Sequence, residues 1–159
     1  MENEFTHFNS DGKAKMVDVT DKEITFRTAS AEAVVYLNET AYKLLKSGGY
    51  KKGDVLAVAQ VAGIMGLKNT AFIIPMCHNI PLTNADIIYE LDDEKCSIRI
   101  ICTVKCRAKT GAEMEALTGA GICALTIYDM CKSVQRDIMI GQIQLLEKTG
   151  GKSGHYKKD

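Results

Sequence analysis

A pair of β-rich segments in the middle of the chain constrains the fold more than any other feature. Leu82 to Leu91 and Cys96 to Arg107 are rich in β-branched residues and flank the charged stretch Asp92 to Lys95. Two such runs around a short polar stretch are typical of a β-hairpin. We therefore predict two antiparallel strands here, and the other segments must be arranged around them.

The first half of the chain predicts one strand followed by helices. Glu23 to Leu37 is β-rich, and Asn38 is a suitable N-cap for a short helix that ends at the two glycines Gly48 and Gly49. Gly53 to Lys68 is apolar, free of proline and too long for a strand, so it predicts a buried helix. Its glycines indicate close packing against another element.

The second half supplies a long helix and a last strand. Thr110 and Glu113 have the spacing of a capping box, which predicts a helix from there to about Arg136. Ile138 to Glu147 then predicts a strand. The resulting order, βαββαβ, is typical of an α+β, ferredoxin-like fold with an antiparallel sheet and helices packed on one face.

The length and charge of the chain limit its organisation and its partners. Its 159 residues fit a single domain, residues 1–159, whose ends at 1–14 and 148–159 we expect to be mobile. Twenty basic and twenty acidic residues balance, so no long-range field gathers nucleic acid or an anionic membrane. No signal peptide or membrane span is recognisable, and we expect a soluble, cytoplasmic protein whose phosphate binding is local.

The cysteines show no pattern of a metal site or of a disulfide framework. They are scattered over strand-like and helix-like segments with no C-x-x-C pair, and no histidines cluster near them. We predict reduced cysteines in the core. The six are Cys77, Cys96, Cys102, Cys106, Cys123 and Cys131.

The long helix has two apolar sides. One stripe consists of Met114, Leu117, Gly121, Leu125 and Tyr128, and Lys132 continues it. The opposite side is formed by Ala116, Cys123, Ile127, Met130 and Val134. A helix that is apolar on two sides is covered on both, and oligomerisation is the simplest source of the second cover.

Two charged pairs on this helix are candidates for proton transfer. Asp129 lies three residues before Lys132, close enough for an ion pair that holds the ammonium group. The pair could be a positioned acid and base, or a surface ion pair near a helix end. Glu113 and Glu115 point to opposite sides of a regular helix, so we expect at most one of them to face a site with Lys132, and Glu113 could instead serve the capping box.

Several cationic residues could bind phosphate. Lys52 precedes a predicted helix N-terminus, where anions are favoured, and Arg27 is a further possible phosphate partner. The glycine-rich stretch 148–154 lacks the spacing of a Walker motif, although the lysines Lys148 and Lys152 could still close over phosphates or belong to a frayed basic terminus. His78 lies in a loop between Pro75 and Pro81, and a histidine in a loop is often only an exposed polar side chain without a functional role.

Short motifs lie along almost the whole chain. They are Met16-Val17-Asp18-Val19, Lys52-Gly53-Asp54-Val55, Ala62-Gly63-Ile64, Cys77-His78, Glu113-Met114-Glu115-Ala116-Leu117-Thr118, Leu125-Thr126-Ile127-Tyr128-Asp129-Met130-Cys131-Lys132 and Gly150-Gly151-Lys152-Ser153-Gly154. In residues, order and spacing these motifs resemble the MoaC family, whose members make cyclic pyranopterin monophosphate. Two departures lie in one loop, where Met76 replaces a usual leucine and Asn79 replaces a proline, which leaves the loop around His78 less stiff.

The resemblance implies a function in molybdenum cofactor biosynthesis. The implied enzyme is a lyase that rearranges 3′,8-cyclo-7,8-dihydro-GTP, made by a partner radical SAM GTP cyclase, and releases pyrophosphate. The implied assembly is a homohexamer, a trimer of dimers with active sites at the dimer interface. By matching position, Lys132 and Asp129 are the catalytic pair, the pocket holds Lys52, Cys77, His78, Glu113, Met114 and Glu115, and Lys148 and Lys152 contact the triphosphate.

A mechanism follows from that resemblance as a hypothesis. Lys132, positioned by Asp129, would move protons during ring opening and closure, with a nearby carboxylate or His78 as a second proton carrier. Arg27, Lys52 and the tail lysines would orient the triphosphate while a ribose hydroxyl attacks the α-phosphorus. No cofactor is required from the sequence, and Mg²⁺ assistance stays open because no dedicated metal site is recognisable.

Two other classes of function remain open from the residues alone. The first is a binding module without catalysis, because a ferredoxin-like fold does not determine function. The second is a hydrolytic enzyme resembling a GTP cyclohydrolase, which would use a metal-activated water. Activity that survives loss of Lys132 would favour the first, and formate release from GTP that is abolished by chelation would favour the second.

Overall fold

The computed structural model describes residues 11–159 as one antiparallel sheet with helices against it. The strand order is β2-β3-β1-β4-β5. The strands are β1 (Thr25–Tyr36), β2 (Leu82–Asp92), β3 (Ser97–Ala108), β4 (Met139–Thr149) and β5 (Tyr156–Lys157). The helices are α1 (Glu39–Lys46), α2 (Val55–Lys68), α3 (Thr70–Ile73) and α4 (Glu113–Cys131).

This arrangement confirms the predicted α+β, ferredoxin-like fold. β2 and β3 form the predicted hairpin around the turn that follows Asp92, with Asp92 paired to Ser97. β1 lies in the middle of the sheet, between β3 and β4, and α4 packs across all three of these strands. The short elements α3 and β5 were not predicted.

Small side chains on the central strand let α4 approach the sheet closely. Ala29, Ala31 and Ala33 alternate along the inner face of β1 and are almost completely buried. On α4, Ala116, Ala120 and Ala124 are fully buried against the sheet. Beta-branched and cysteine side chains of β3 fill the space beside them, so the core is a single layer between helices and sheet.

The glycines of α2 lie against α4, as their presence predicted. A methyl group on Gly63 would come within 3.0 Å of the backbone oxygen of Gly119, and one on Gly66 would come within 2.7 Å of the Ile122 side chain. Contacts under about 3.4 Å are too close for carbon, so these positions exclude larger residues. The close approach orients α2 along α4.

The ends of α4 differ from the prediction at both sides. The helix begins at Glu113 after Ala112, without a side-chain cap, so the capping box of Thr110 and Glu113 is wrong. The helix ends at Cys131, with Lys132 as C-cap, instead of near Arg136. Two contacts accompany the early end. The hydroxyl of Tyr128 donates to the carbonyl of Arg136, eight residues later, at 3.0 Å. The backbone N–H of Asn38, from a distant part of the chain, donates to the Gln135 side chain at 2.6 Å.

Two predictions of burial were only partly right. α2 was predicted to be buried, but its outer side is exposed at Val58, Val61 and Met65 in the single chain. All six cysteines are free, and four of them are buried as predicted. Cys77 and Cys96 are instead half-buried, because both lie outside the regular elements that enclose the core.

The structure describes the C-terminal end of the chain in full and the N-terminal end from residue 11 onwards. Residues 1–10 of the predicted mobile segment lie outside the described part of the chain. In the tail, Lys148 and Thr149 belong to β4, and Tyr156 pairs with Lys148 in β5. Mobility of the tail stays a prediction. Within residues 11–159, no helix is long and apolar enough to span a membrane.

Candidate active site

A lysine–aspartate cluster lies at the C-terminal end of α4. Asp129 Oδ1 is 2.7 Å from Lys132 Nζ, and Asp129 Oδ2 is 3.5 Å from Lys52 Nζ. Lys52, in the turn before α2, also donates to the backbone oxygen of Asp129 at 3.0 Å. The carboxylate therefore holds two ammonium groups together, and the predicted Asp129–Lys132 pair is present.

Electrostatics within the cluster stabilise its charged forms. The hydrogen bond from Lys132, followed by the positive charges of Lys132 and Lys52, lowers the pKa of Asp129. The same hydrogen bond to Asp129 raises the pKa of Lys132. All three side chains are about half exposed in the single chain, so solvent screens the pair. A covering surface would strengthen it.

A cleft of about 340 Å³ lies at the opposite end, over the N-terminus of α4. This volume is at the lower end of the range for small-ligand sites. The lining combines residues of the segment before β1, the loop before β2 and the first turn of α4. These residues are Val17, Val19, Lys22, Met76, Cys77, His78, Thr110, Gly111, Glu113, Met114 and Glu115.

Both glutamates of the first turn border this cleft, which lies far from Lys132 in the chain, so the expectation that at most one of them faces a site with Lys132 stays a prediction. They do leave the helix on opposite sides, but the cleft lies over the end of the helix, where side chains from both sides reach it. Glu113 pairs with Lys148 at 2.8 Å. Glu115 is 5% exposed, and its burial, opposed by a hydrogen bond from its own backbone N–H, raises its pKa to about 7.

Five cationic side chains surround a second cleft that shares several residues with the first. Arg27, Lys148 and Lys152 were predicted, whereas Lys22 and Lys109 were not. Of the described residues that line this cleft, Glu113 alone carries a carboxylate, so the local charge is strongly positive. We refer to Lys22, Arg27, Lys109, Lys148 and Lys152 as the cation cluster.

Arg27 is held in place by backbone groups. Its Nε donates to the Ala108 carbonyl at 3.0 Å, and its Nη2 donates to the Lys109 carbonyl at 3.2 Å. The glycine turn after β4 lies directly against it: Gly150 and Gly151 have φ values of 91° and 76°, and side chains there would strike Phe26 and Arg27. The glycines thus let the tail pass over the guanidinium group.

Lys22 and Lys109 were not predicted as site residues, because neither belongs to a recognisable motif. Lys109 Nζ donates to the Thr20 carbonyl at 2.5 Å and so ties the segment before β1 to the end of β3. A signal was present for Lys109, since it directly precedes the Thr110–Gly111 stretch that opens α4. Lys22 had none, because only the tertiary structure brings its segment across the cleft.

The two halves of the candidate site lie far apart in one chain. The cleft and the cation cluster are at the start of α4, and the lysine–aspartate cluster is at its end. α4 has 19 residues, so its ends are separated by about 28 Å at 1.5 Å per residue. The chain therefore brings His78, Cys77, Met114 and both glutamates together but leaves Lys52, Asp129 and Lys132 apart from them.

Comparisons with known proteins point to one family. The model of the MoaC family matches residues 16–151 of this chain. A cyclic pyranopterin monophosphate synthase from Geobacillus thermodenitrificans (strain NG80-2) is 51% identical over 156 residues, which are 97% of this chain and 96% of that protein.

Proposed function

The chain belongs to the MoaC family, and from this premise we propose that it converts 3′,8-cyclo-7,8-dihydro-GTP into cyclic pyranopterin monophosphate with release of pyrophosphate. The chain is thus a lyase of molybdenum cofactor biosynthesis. Its substrate would come from a radical SAM GTP cyclase. We also propose that the reaction takes place in the cytoplasm.

One structural observation supports this function most directly. A cleft with two carboxyl groups continues into a cluster of five cations. A nucleotide derivative needs such a combination, since its triphosphate is a polyanion and its ring chemistry requires proton carriers. In this proposal Arg27, Lys22, Lys109, Lys148 and Lys152 bind the triphosphate, and the ring system lies near Glu115 and His78.

We further propose that each site is completed by a second copy of the chain. The outward face of α4 carries the predicted apolar stripe, with Leu125 56% exposed and Met114 36% exposed. Gly121 lies near the middle of this face, and a methyl group there would meet only Ile143, at 3.7 Å, among the described residues. Both observations favour close contact with another helix.

A two-fold axis near the middle of α4 would join the two halves. Pairing two α4 helices antiparallel about Ile122 brings the start of one helix to the end of the other. The Lys132 cluster of one protomer would then face the Glu115 cleft of its partner. Three such dimers make the hexamer that the family resemblance implies, with exposed Val58, Val61 and Met65 of α2 as further apolar contact surface.

In the completed site, the lysine–aspartate cluster would move protons. Asp129 holds Lys132 and Lys52 close together and favours the charged form of Lys132, so the ammonium group of Lys132 can give a proton and take it back. The cation cluster would stabilise the charge that builds up on the phosphates while the ribose hydroxyl attacks the α-phosphorus. In this proposal the side chains supply this charge stabilisation, and Mg²⁺ could assist at the leaving pyrophosphate.

Product analysis tests the proposal. The purified protein and its Lys132→Ala variant are each mixed with the cyclised GTP intermediate, and pyranopterin and pyrophosphate are measured. We expect both products from the wild type and a loss of at least about 100-fold in the variant. No turnover by the wild type would refute the function, and equal turnover by the variant would refute the role of Lys132.

A further inference from the structure

Glu115 differs from every other residue around the cleft in its burial. Among the described residues that line the cleft, Glu115 alone is buried, and the others are half-buried or exposed. It lies in the first turn of α4, and its only resolved hydrogen bond within residues 11–159 is from its own backbone N–H. A carboxyl group in this position reaches the cleft from its inner wall.

The groups that face Glu115 leave its charge uncompensated. Cys77, from the loop before β2, and Cys106, from β3, are thiols whose pKa values burial raises, so they stay neutral. Glu113 on the same helix turn adds a like charge. His78 and Lys22 line the same cleft, but neither forms an ion pair with Glu115 in the described part of the chain.

The two carboxyl groups of the cleft therefore lie in different environments. Glu113 is 2.8 Å from Lys148 Nζ and has the cation that a carboxylate requires. Glu115 has no such cation among residues 11–159, and desolvation raises its pKa to about 7. When two carboxyl groups of one site lie in different environments, their pKa values differ, and the site can provide both an acid and a base.

We infer that Glu115 is the proton donor of ring opening, carrying its proton on the buried carboxyl that forms the inner wall of the cleft. The inference rests on the proposed function and assigns the second proton carrier of that reaction. It selects Glu115 over His78 and Glu113. His78 is a half-buried loop residue, and Glu113 is already paired with Lys148.

The step conserves atoms and electrons. The carbon between the two nitrogens of the five-membered ring loses its bond to one of them, and that nitrogen keeps the electron pair and takes the proton of Glu115. The lone pair of the other nitrogen forms a C=N bond to the same carbon. The product is an iminium cation beside the Glu115 carboxylate. The iminium nitrogen then loses its own proton, which returns to Glu115, so the charges balance and nothing is oxidised or reduced.

Steady-state assays with the cyclised GTP intermediate over a range of pH test the assignment, because they give both kcat and KM. The wild-type kcat should fall as pH rises through about 7, because the donor loses its proton. Glu115→Gln keeps the shape of the side chain but has no acidic proton. We expect its kcat to be about 100-fold lower, with little change in KM. The fall of kcat through pH 7 should be absent from its profile. Glu113→Gln is the matched control, since it removes a charge from the same helix turn and should keep the limb.

Each outcome decides one question. An absence of turnover in the wild type refutes the proposed function itself. If the wild type turns over, the proposed function stands. The role of Glu115 is then refuted if the kcat of Glu115→Gln lies within about two-fold of the wild-type value, or if the limb of its pH profile is unchanged. If Glu115→Gln fails to fold, Glu115→Asp replaces it: this variant keeps the proton but withdraws it by one methylene, so it should retain the limb at a lower kcat, and full activity would overturn the inference.

Discussion

Asp129 accepts a charged hydrogen bond from Lys132 at 2.7 Å and lies 3.5 Å from the ammonium group of Lys52. The two lysines come from parts of the chain that are 80 residues apart, and one carboxylate holds both. The pair with Lys132 is local in sequence, whereas the contact with Lys52 exists only because α2 packs against α4.

Replacing Asp129 by Asn should shift the alkaline side of the activity profile. Asp129 raises the pKa of Lys132, so a neutral amide lets Lys132 lose its proton at lower pH. In the wild type we expect kcat to fall in two steps as pH rises, near 7 as Glu115 loses its proton and again at higher pH as Lys132 does. In Asp129→Asn the second limb alone should move to lower pH, together with a reduced maximum. An unshifted limb would mean that Asp129 does not control the charge of Lys132.

Mixing two inactive variants should restore activity if the sites are shared between protomers. Lys132→Ala damages one end of α4, and Glu115→Gln, for which we expect kcat about 100-fold lower, damages the other. In a mixed dimer, one site receives both changes and the other receives none. Co-expression should therefore restore about a quarter of wild-type turnover, since half of the dimers are mixed and half of their sites are intact. Activity no higher than in either variant alone would argue for sites within a single chain.

A charge on the outward face of α4 should prevent assembly. Leu125 is 56% exposed in the single chain, and burying a glutamate there against a second helix would be costly. We expect Leu125→Glu to reduce the mass measured by light scattering and to abolish turnover, while circular dichroism keeps the wild-type helix content. Leu91→Glu, at an exposed position in the β2–β3 hairpin, is the control and should assemble normally.

Removing one member of the cation cluster should weaken substrate binding more than it slows the reaction. Lys22 borders both clefts and was not predicted as a site residue. We expect Lys22→Met to raise KM about ten-fold and to change kcat little, with a smaller effect at high salt, because surface charge is screened. Lys95→Met, in the distant hairpin, should leave KM unchanged, and equal effects in both variants would exclude a specific role for Lys22.

Glu115 should make the stability of the protein depend on pH. Its pKa rises from 4.5 in the unfolded chain to about 7 in the folded protein, so the folded state binds more protons between these values. The free energy of unfolding should therefore fall as pH rises through this window, by about 3 kcal/mol from this group. Denaturant titrations of wild type and Glu115→Gln should diverge across the window, with the variant relatively more stable at the higher pH. Parallel curves would contradict the burial of an uncompensated carboxyl.

Local patterns predicted much of the fold. The hairpin around Asp92 and the N-cap at Asn38 follow from short-range chemistry, and the structure contains both. The close approach at Gly63 also follows, because a missing side chain in a helix signals a neighbour. The end of α4 could not be predicted in this way, since the contact between Gln135 and Asn38 that accompanies it is tertiary.

The sequence by itself determined the types of segment, their order and the family, because periodicity, turn residues and motifs are read over a few neighbouring positions. Only the tertiary structure decided which charges meet. Lys148 reaches Glu113 because β4 pairs with β1, and Glu115 has no such partner within residues 11–159. The separation of Lys132 from the cleft was equally invisible in the sequence, because it depends on the length of α4 and on where the chain turns at each end.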